Sequence, residues 1–191
     1  MKTMLIALTI GLTSLAACNN STNTSTADKN TDTTKTAPAP SMSRIGPVTP
    51  LTGVLSHYLD LKNALANDNG KDAADAGKAM VAAIDKMDTS ALTSDQKMTY
   101  RDLADDTREN AEHIGANSDK MAHQREHFEM LSKDMYDLIK KIGAGQPVYQ
   151  DFCPMYNNGK GATWISETKV IKNPYLGKKM DTCGSVKEEI K

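Results

Sequence analysis

Residues 49–70 read TPLTGVLSHYLDLKNALANDNG, and this stretch indicates how the folded part of the chain is built. Its apolar residues recur every three or four positions, as they do on one face of an α-helix. Thr49 and Pro50 supply a capping side chain and a proline for the first turn, and Asn69-Gly70 ends the run. The apolar face consists of Leu51, Val54, Leu55, Tyr58, Leu61 and Leu65. The stretch therefore predicts an amphipathic helix with one buried side.

Three more helices are predicted from the same periodicity. The second covers roughly 72–87, the third starts at Thr93, where Gln96 completes a capping box, and the fourth starts at Ser118. Their inward residues are Ala76, Met80, Ala83, Ile84 and Met87; Tyr100, Leu103, Thr107, Ala111 and Ile114; and Met121, Phe128, Leu131, Met135, Leu138, Ile139 and Ile142. Short connections predict a mainly α fold, an antiparallel four-helix bundle, in which methionine fills gaps in the core. We expect Leu55, Tyr58, Leu103, Phe128, Leu131 and Leu138 to be buried together.

The character of the chain changes after Gly143-Ala144-Gly145. Segments 147–153 and 162–166 carry β-branched and aromatic residues in short runs, and Asn173-Pro174 marks a turn. These signals predict a small irregular lobe over 146–191 with one or two short strands. Together with the helices, it gives a folded domain of 49–191, which suits one ordinary domain.

The first seventeen residues have the layout of a secretory signal peptide. Lys2 supplies the positive charge, 4–12 is apolar but too short to span a bilayer, and Leu15-Ala16-Ala17 precedes Cys18. This pattern resembles the processing site of bacterial lipoproteins and predicts lipidation of Cys18; an ordinary signal peptide or a buried N-terminal helix are the alternatives. Residues 18–48 are rich in Ser, Thr, Asn and Pro and predict a flexible tether. We expect a membrane-anchored protein on the periplasmic or cell-surface side.

Charge and motifs argue against two classes of function, nucleic-acid binding and catalysis. The formal net charge is −1 and no basic face stands out, so nothing supports nucleic-acid binding. No serine–histidine–acid arrangement, phosphate-binding glycine loop or carboxylate pair stands out either. We therefore predict that the protein is not an enzyme.

Two cysteine–methionine pairs are the most informative feature of the lobe. Cys153 and Met155 lie two apart, which places them on one side of an extended segment, and Met180 and Cys183 lie three apart, which does so on a helical turn. If the lobe folds back, four sulfur ligands converge, and soft donors select soft cations, copper(I) above all. Trp164 is either a wall of this site, contacting a cation through its ring face, or a core aromatic.

A disulfide explains the same two cysteines. In an oxidising compartment, two lone cysteines usually pair, and closing the loop from Cys153 to Cys183 contributes about 3–4 kcal/mol in the chain-entropy model. Spacing alone leaves three possibilities open: a metal site, a structural disulfide with no cofactor, and a pair that cycles between the two states.

Histidines supply a secondary metal candidate. His123, His127 and Met130 lie at i, i+4 and i+7 on the flank and back of the fourth helix, and two histidines at i, i+4 can chelate one ion. For this pair alone a solvated polar face is the favoured interpretation. His57 and His113 are expected to be ordinary surface or boundary residues.

Four motifs of the lobe together resemble a bacterial domain of unknown function. They are Phe152-Cys-Pro-Met155, Gly161-Ala-Thr-Trp-Ile-Ser166, Asn173-Pro-Tyr-Leu-Gly177 and Met180-x-x-Cys-Gly184. That domain occurs alone in secreted or lipid-anchored proteins and as a C-terminal extension of the periplasmic adaptor (membrane-fusion) subunits of copper and silver efflux pumps. The similarity is close over the lobe and loose over the helices.

The resemblance implies heavy-metal handling outside the cytoplasm, with copper(I) or silver as cargo and efflux adaptor or pump components as partners. It does not identify the ligands. Histidine often precedes Cys-Pro-Met in that domain, whereas Phe152 stands here, which counts against a scheme that needs a histidine at this point. The chain lacks an adaptor's hairpin and barrel sequence, so the resemblance implies a stand-alone copper-binding or copper-delivery module.

Overall fold

Four helices precede a small sheet in the computed structural model, which describes residues 48–191. The helices are α1 (Thr52–Ala66), α2 (Gly70–Asp85), α3 (Ser94–Ala116) and α4 (Met121–Ile142). None of the helices within the described residues is long and apolar enough to cross a membrane. The predicted signal peptide over 1–17, the predicted lipidation site Cys18 and the tether up to residue 47 lie outside the described residues.

The capping box predicted for α3 is confirmed. The Gln96 backbone N–H donates to the Thr93 hydroxyl at 3.3 Å, and the Thr93 backbone N–H donates to Gln96 Oε1 at 3.0 Å. These reciprocal bonds satisfy donors that have no partner within the helix. The start of this helix could therefore be predicted to the residue.

The other helix starts differ from the prediction by two or three residues. α1 begins at Thr52 rather than Pro50, because a turn precedes it in which Thr49 N donates to Thr52 Oγ1 at 2.9 Å. α2 begins at Gly70, because Asn69 caps this helix by accepting from Asp72 N at 3.1 Å. α4 begins at Met121, after a tight turn over 117–120.

The predicted core is confirmed with one exception. Leu55, Tyr58, Phe128, Leu131 and Leu138 are buried in one cluster, whereas Leu103 is only partly buried against it. The buried residues of α3 lie in its second half, so Leu103 reaches only the edge of the core. The methionines predicted to lie in the core also differ in burial. Met80 and Met135 are buried, while Met87 and Met121 are partly buried.

Helices adjacent in sequence pack against each other, α1 on α2, α2 on α3 and α3 on α4. Side chains also join α1 to α4, where the rings of Tyr58 and Phe128 stack with centroids 5.3 Å apart. The fold is therefore mainly helical, with contacts along the whole helical segment. The antiparallel bundle remains a prediction.

The lobe contains a three-stranded antiparallel sheet rather than one or two strands. Its strands are β1 (Val148–Cys153), β2 (Ala162–Ser166) and β3 (Ser185–Ile190), in the order β2-β1-β3. β1 and β2 coincide with the predicted runs. β3 was missed because its sequence SVKEEI is largely polar and exposed, as expected of an edge strand, so it lacks the β-branched and aromatic signal.

The sheet and the helices share one hydrophobic core. Val148, Trp164, Ile165 and Ile190 are buried in the same cluster as the helix residues. The sheet packs mainly on α4 and also contacts α1. The lobe is therefore not an independent appendage, and its strands are positioned by the helices.

Candidate functional site

The sheet brings the two cysteines of the lobe together. Cys153 is the last residue of β1, and its neighbour Phe152 pairs with Ser185 at the start of β3. This register places the residues just before β3 beside the end of β1. The Sγ atoms of Cys153 and Cys183 are 3.3 Å apart, with both thiols free. Cys153 is buried and Cys183 is partly exposed, so the pair opens to solvent on one side.

Asn173 holds the backbone on which Cys183 lies. This buried side chain donates from Nδ2 to the carbonyl of Cys183 at 2.7 Å. Its Oδ1 accepts from the backbone N–H groups of Tyr175 and Leu176 at 2.8 and 2.9 Å. The backbone N–H of Asn173 donates to the carbonyl of Asp181 at 2.8 Å. One amide side chain thus fixes both ends of the loop that delivers Cys183.

Trp164 lies against the residue that follows Cys183. A Cβ atom on Gly184 would lie 2.9 Å from Trp164 Cη2 and 3.0 Å from the carbonyl oxygen of Phe152. Gly184 also has a φ of 143°, which disfavours other residues. Trp164 is fully buried and packs edge-on against Tyr175, at 5.9 Å between centroids. It is a core aromatic, and one edge of its ring also borders the loop that carries the thiol.

The two methionines differ in their placement. Met155 follows the end of β1, in a turn, and is 57% exposed, so the extended geometry that would align it with Cys153 stops at Cys153. Met180 follows a short 3-10 helix (Gly177–Lys179) and is partly buried. The N–H of Cys183 donates to the carbonyl of Met180 at 3.0 Å, which closes a turn between these two residues. Met180 is therefore tied to the thiol pair through its backbone.

The distance between the two sulfurs lies between the values expected for a disulfide and for two thiolates on one metal ion. A disulfide needs about 2.05 Å between sulfurs, whereas two thiolates on one tetrahedral ion at about 2.3 Å lie about 3.8 Å apart. The observed 3.3 Å is closer to the second value. The hydrogen bond with Cys153, together with burial, raises the pKa of the Cys183 thiol. A soft cation bound to both sulfurs would release both thiol protons.

A second group of metal-ligating side chains lies between α3 and α4. His113 from α3 and His123 and His127 from α4 each offer a ring nitrogen, and these atoms lie within 4.8 Å of one another. The rings of His113 and His127 stack with centroids 4.3 Å apart and an interplanar angle of 8°. His123 meets His127 edge-on at 4.5 Å. We call this group the histidine cluster.

His113 is the residue that sequence reasoning missed. It lies near the end of α3, and the tight turn over 117–120 folds the last turns of α3 back beside the first turns of α4. The helical spacing within α4 could indicate only His123 and His127. The short connection was the available signal, because helices joined by few residues are antiparallel neighbours, and it predicts which ends meet.

Asn110 fixes the ring of His127. Asn110 Nδ2 donates to the carbonyl of Asp106 at 2.9 Å, so its Oδ1 is the atom that faces His127 Nδ1, also at 2.9 Å. Since an amide oxygen can only accept, Nδ1 of His127 carries the proton. The lone pair is then on Nε2, which is the pattern found in histidines that bind metals.

Acidic side chains surround the histidine cluster. Glu109 Oε1 lies 3.9 Å from His113 Nε2, and Glu126 Oε2 lies 3.7 Å from His123 Nδ1. Burial, followed by the nearby rings of His113 and His123, lowers the pKa of His127. This favours the neutral ring that a metal requires.

A shallow depression beside the cluster is also acidic. It is lined by Asp106, Glu109, Asn110, His127, Met130 and Asp134. Burial, with the neighbouring carboxylate of Asp106, raises the pKa of Asp134 to about 6. Met130, which follows the two histidines in helical spacing, is exposed at this edge.

Comparison with known proteins gives one match. No curated protein and no solved structure is significantly similar to the chain. A family model matches one segment, which runs from the first turn of α1 through α4 and stops just before β1. The helices therefore carry the match, and the four lobe motifs lie outside it. Residues 54–147 match the family described as a protein of unknown function (DUF3347).

Proposed function

We propose that this protein is an extracytoplasmic, lipid-anchored module that binds copper(I) or silver(I) and delivers it within metal efflux or homeostasis. The observation that carries the proposal is the approach of Cys153 and Cys183 to 3.3 Å between sulfurs. Thiolates and thioethers are soft ligands that suit copper(I), and methionine is not among the usual ligands of zinc. The partly exposed Cys183 gives an incoming ion a path to the buried Cys153.

The movement that each state requires favours metal over disulfide. The pair must open by about 0.5 Å to share a tetrahedral ion, whereas it must close by more than about 1 Å to form a disulfide. Opening displaces Cys183, the partly exposed member of the pair, toward solvent. Closing would draw Cys183, whose carbonyl is held by Asn173, toward the buried Cys153.

The methionines complete the proposed ligand set. Met180 is the third ligand, because the turn between Met180 and Cys183 keeps them on one loop. Met155 is the fourth, supplied from an exposed turn one residue past Cys153-Pro154. Trp164 shields the loop from the core side. We place the helices in an antiparallel bundle that acts as the rigid support, in line with the packing of successive helices.

Localisation and partners belong to the same proposal. The Leu15-Ala16-Ala17-Cys18 sequence supports a lipid anchor at Cys18 on the periplasmic or cell-surface side. The resemblance of the lobe motifs supports efflux adaptor or pump components as partners. The chain would then supply a tethered, non-enzymatic metal carrier near the membrane.

The second candidate is a non-catalytic interaction or structural lipoprotein. The same 3.3 Å separation favours it, because two thiols this close oxidise readily in an oxidising compartment. A Cys153–Cys183 disulfide would then clip the lobe and leave no metal ligands other than Met155 and Met180. This candidate assigns no role to either methionine.

A competition titration distinguishes the two candidates. The protein carries Cys18→Ser so that no third thiol competes, is reduced, and is titrated with copper(I) against a chromophoric copper(I) chelator. We expect about one tightly bound copper(I) per chain. Met155→Leu and Met180→Leu should weaken binding, since they remove thioethers with little change in volume. Met98→Leu, at an exposed position on α3, is the matched control and should bind as the parent does.

Cysteine variants complete the test. Cys153→Ser and Cys183→Ser should each abolish tight binding. Equal affinity in the parent and both methionine variants would remove the methionines from the ligand set. No copper(I) binding by the reduced parent would overturn the metal proposal and leave the structural disulfide.

A further inference from the structure

We propose that His113, His123 and His127 form a second metal site, which binds a divalent cation of borderline softness, copper(II) or zinc(II). The site lies between α3 and α4 and shares no residue with the thiol pair. It goes beyond the proposed function, because it does not require that the thiols bind copper(I).

The spacing of the three rings is within reach of one ion. Three imidazoles on a tetrahedral ion at 2.0–2.1 Å place their nitrogens about 3.4 Å apart. The nitrogens here lie within 4.8 Å of one another, so a contraction of about 1.4 Å at most completes the site. A contraction of this size is within the range of side-chain rotation.

Two of the rings are free to rotate. The side chains of His113 and His123 are 45% and 37% exposed. Within residues 48–191, neither ring makes a side-chain hydrogen bond, because the nearest carboxylates are 3.9 and 3.7 Å away. His113 can therefore leave its stacked position against His127 and swing toward a shared ion.

The third ring is already oriented. Asn110, itself held by the carbonyl of Asp106, keeps the proton of His127 on Nδ1 and leaves Nε2 as a ligand. Such an outer hydrogen bond typically accompanies a metal-binding histidine and changes metal affinity by about 10–100-fold when it is removed. Ring stacking alone accounts for neither this bond nor the third histidine.

The charges around the cluster favour a cation. Glu109 and Glu126 approach two of the rings, and Asp106 and Asp134 line the adjoining depression. Either glutamate could fill the fourth coordination position, which water would otherwise occupy. The cluster contains no sulfur ligand, so its chemistry differs from that of the thiol pair. Neutral imidazole suits copper(II) and zinc(II), and copper(II) binds more tightly in the general order of divalent affinities.

Zinc(II) is the probe for the test, because, unlike copper(II), it has no redox chemistry. Tag-free protein carrying Cys18→Ser, Cys153→Ser and Cys183→Ser is titrated against a chromophoric zinc chelator. We expect about one zinc(II) per chain at the cluster. His113→Ala, His123→Ala and His127→Ala should each lower the affinity by roughly tenfold or more. His57→Ala is the matched control: His57 lies on α1 outside the cluster and its loss should change nothing.

Two further measurements make the result independent of folding. Far-UV circular dichroism should be the same for all the histidine variants, because His113 is exposed and His123 and His127 are only partly buried. In the protein with its cysteines intact, histidine-labelled NMR should show zinc-dependent changes in three rings and none in His57. The chelator titration is made on the protein without cysteines, so its result does not depend on whether the thiols bind copper(I). Equal zinc affinity in the His113→Ala, His123→Ala and His57→Ala proteins would overturn the site.

Discussion

The hydroxyl of Tyr58 on α1 accepts a hydrogen bond from the backbone N–H of Ile165 in β2 at 3.0 Å. With its acceptor role filled by this bond, the same hydroxyl can donate to Ser132 Oγ on α4, at 2.8 Å. Burial is the main cause that raises the pKa of Tyr58 well above its ordinary value. One neutral phenol thus joins two helices to the sheet that carries Cys153.

Tyr58→Phe should destabilise the protein without altering its fold. The change leaves the buried N–H of Ile165 without an acceptor, which costs on the order of 1–3 kcal/mol. Urea unfolding followed by Trp164 fluorescence and by circular dichroism measures the loss. Tyr149→Phe is the control, since its hydroxyl makes no side-chain hydrogen bond among the described residues, and should stay within about 0.5 kcal/mol. The two probes should report one transition, because lobe and helices share a core; two separate transitions would contradict this.

Asn173→Ala should weaken both the lobe and the thiol site. The substitution removes the acceptor of two backbone N–H groups and the donor to the carbonyl of Cys183. Each buried group left unpaired costs on the order of 1–3 kcal/mol. We expect a lower urea midpoint and, where the variant remains folded, weaker copper(I) binding in the chelator competition. Thr182→Ala, an exposed change in the same loop, is the control; if it had the same effect, the role of the Asn173 amide would be wrong.

Sequence periodicity was sufficient for the helices but not for the candidate sites. The 3.6-residue pattern and the Thr93–Gln96 box depend on neighbours within a few residues, so α3 could be placed correctly from its start. The approach of Cys153 to Cys183 depends on the pairing of β1 with β3, and β3 carries no apolar signal. The meeting of His113 with His123 likewise depends on how α3 folds back on α4. Local patterns indicate which residues can act, while tertiary pairing decides which of them meet.

The pH dependence of stability should reveal that the carboxyl of Asp151 is protonated in the folded protein. This carboxyl is buried on β1 with no hydrogen-bond partner for either oxygen among the described residues. Burial raises its pKa to about 7, although Lys62 opposes the shift. In an unfolded chain the pKa of aspartate is about 3.9. Between these values the folded protein keeps a proton that the unfolded chain has lost, so the group's contribution to stability falls as pH rises.

Asp151→Asn mimics the protonated carboxyl at every pH. Below about pH 4 the variant and the parent should have similar unfolding free energies. As pH rises toward about 7, the unfolding free energy of the variant should exceed that of the parent by an increasing amount, a few kcal/mol at most. Above that pH the difference should level off. Urea unfolding at a series of pH values measures it. A difference that stays constant from pH 4 to 8 would show that Asp151 is not protonated in the fold.

Cys18→Ser tests the predicted anchor. Without the thiol no lipid can be attached, so the protein should leave the membrane fraction or accumulate as an unprocessed precursor. Cell fractionation and electrophoretic mobility, compared with the parent, measure this outcome. A variant that fractionates and migrates like the parent would mean that the chain is not lipidated at this residue.

Gly184→Ala tests whether the packing of Trp164 positions the thiol pair. An added methyl group would meet the Trp164 ring and the carbonyl of Phe152, and the backbone φ of 143° already disfavours a side chain. Overpacking of this kind costs about 1–3 kcal/mol. Relief of the clash shifts the Trp164 ring or the backbone at Phe152, which is the residue before Cys153, relative to the loop that carries Cys183. We therefore expect a shifted Trp164 emission, lower stability and weaker copper(I) binding together.

Gly53→Ala is the matched control for this variant. Gly53 lies in α1 with no atom within 4 Å of an added Cβ, so alanine should be neutral or stabilise the helix by about 0.5–1 kcal/mol. Trp164 emission and copper(I) affinity should remain those of the parent. Loss of stability in Gly184→Ala with unchanged copper(I) affinity would separate the two effects, and would show that the thiols bind metal without the support of the Trp164 ring.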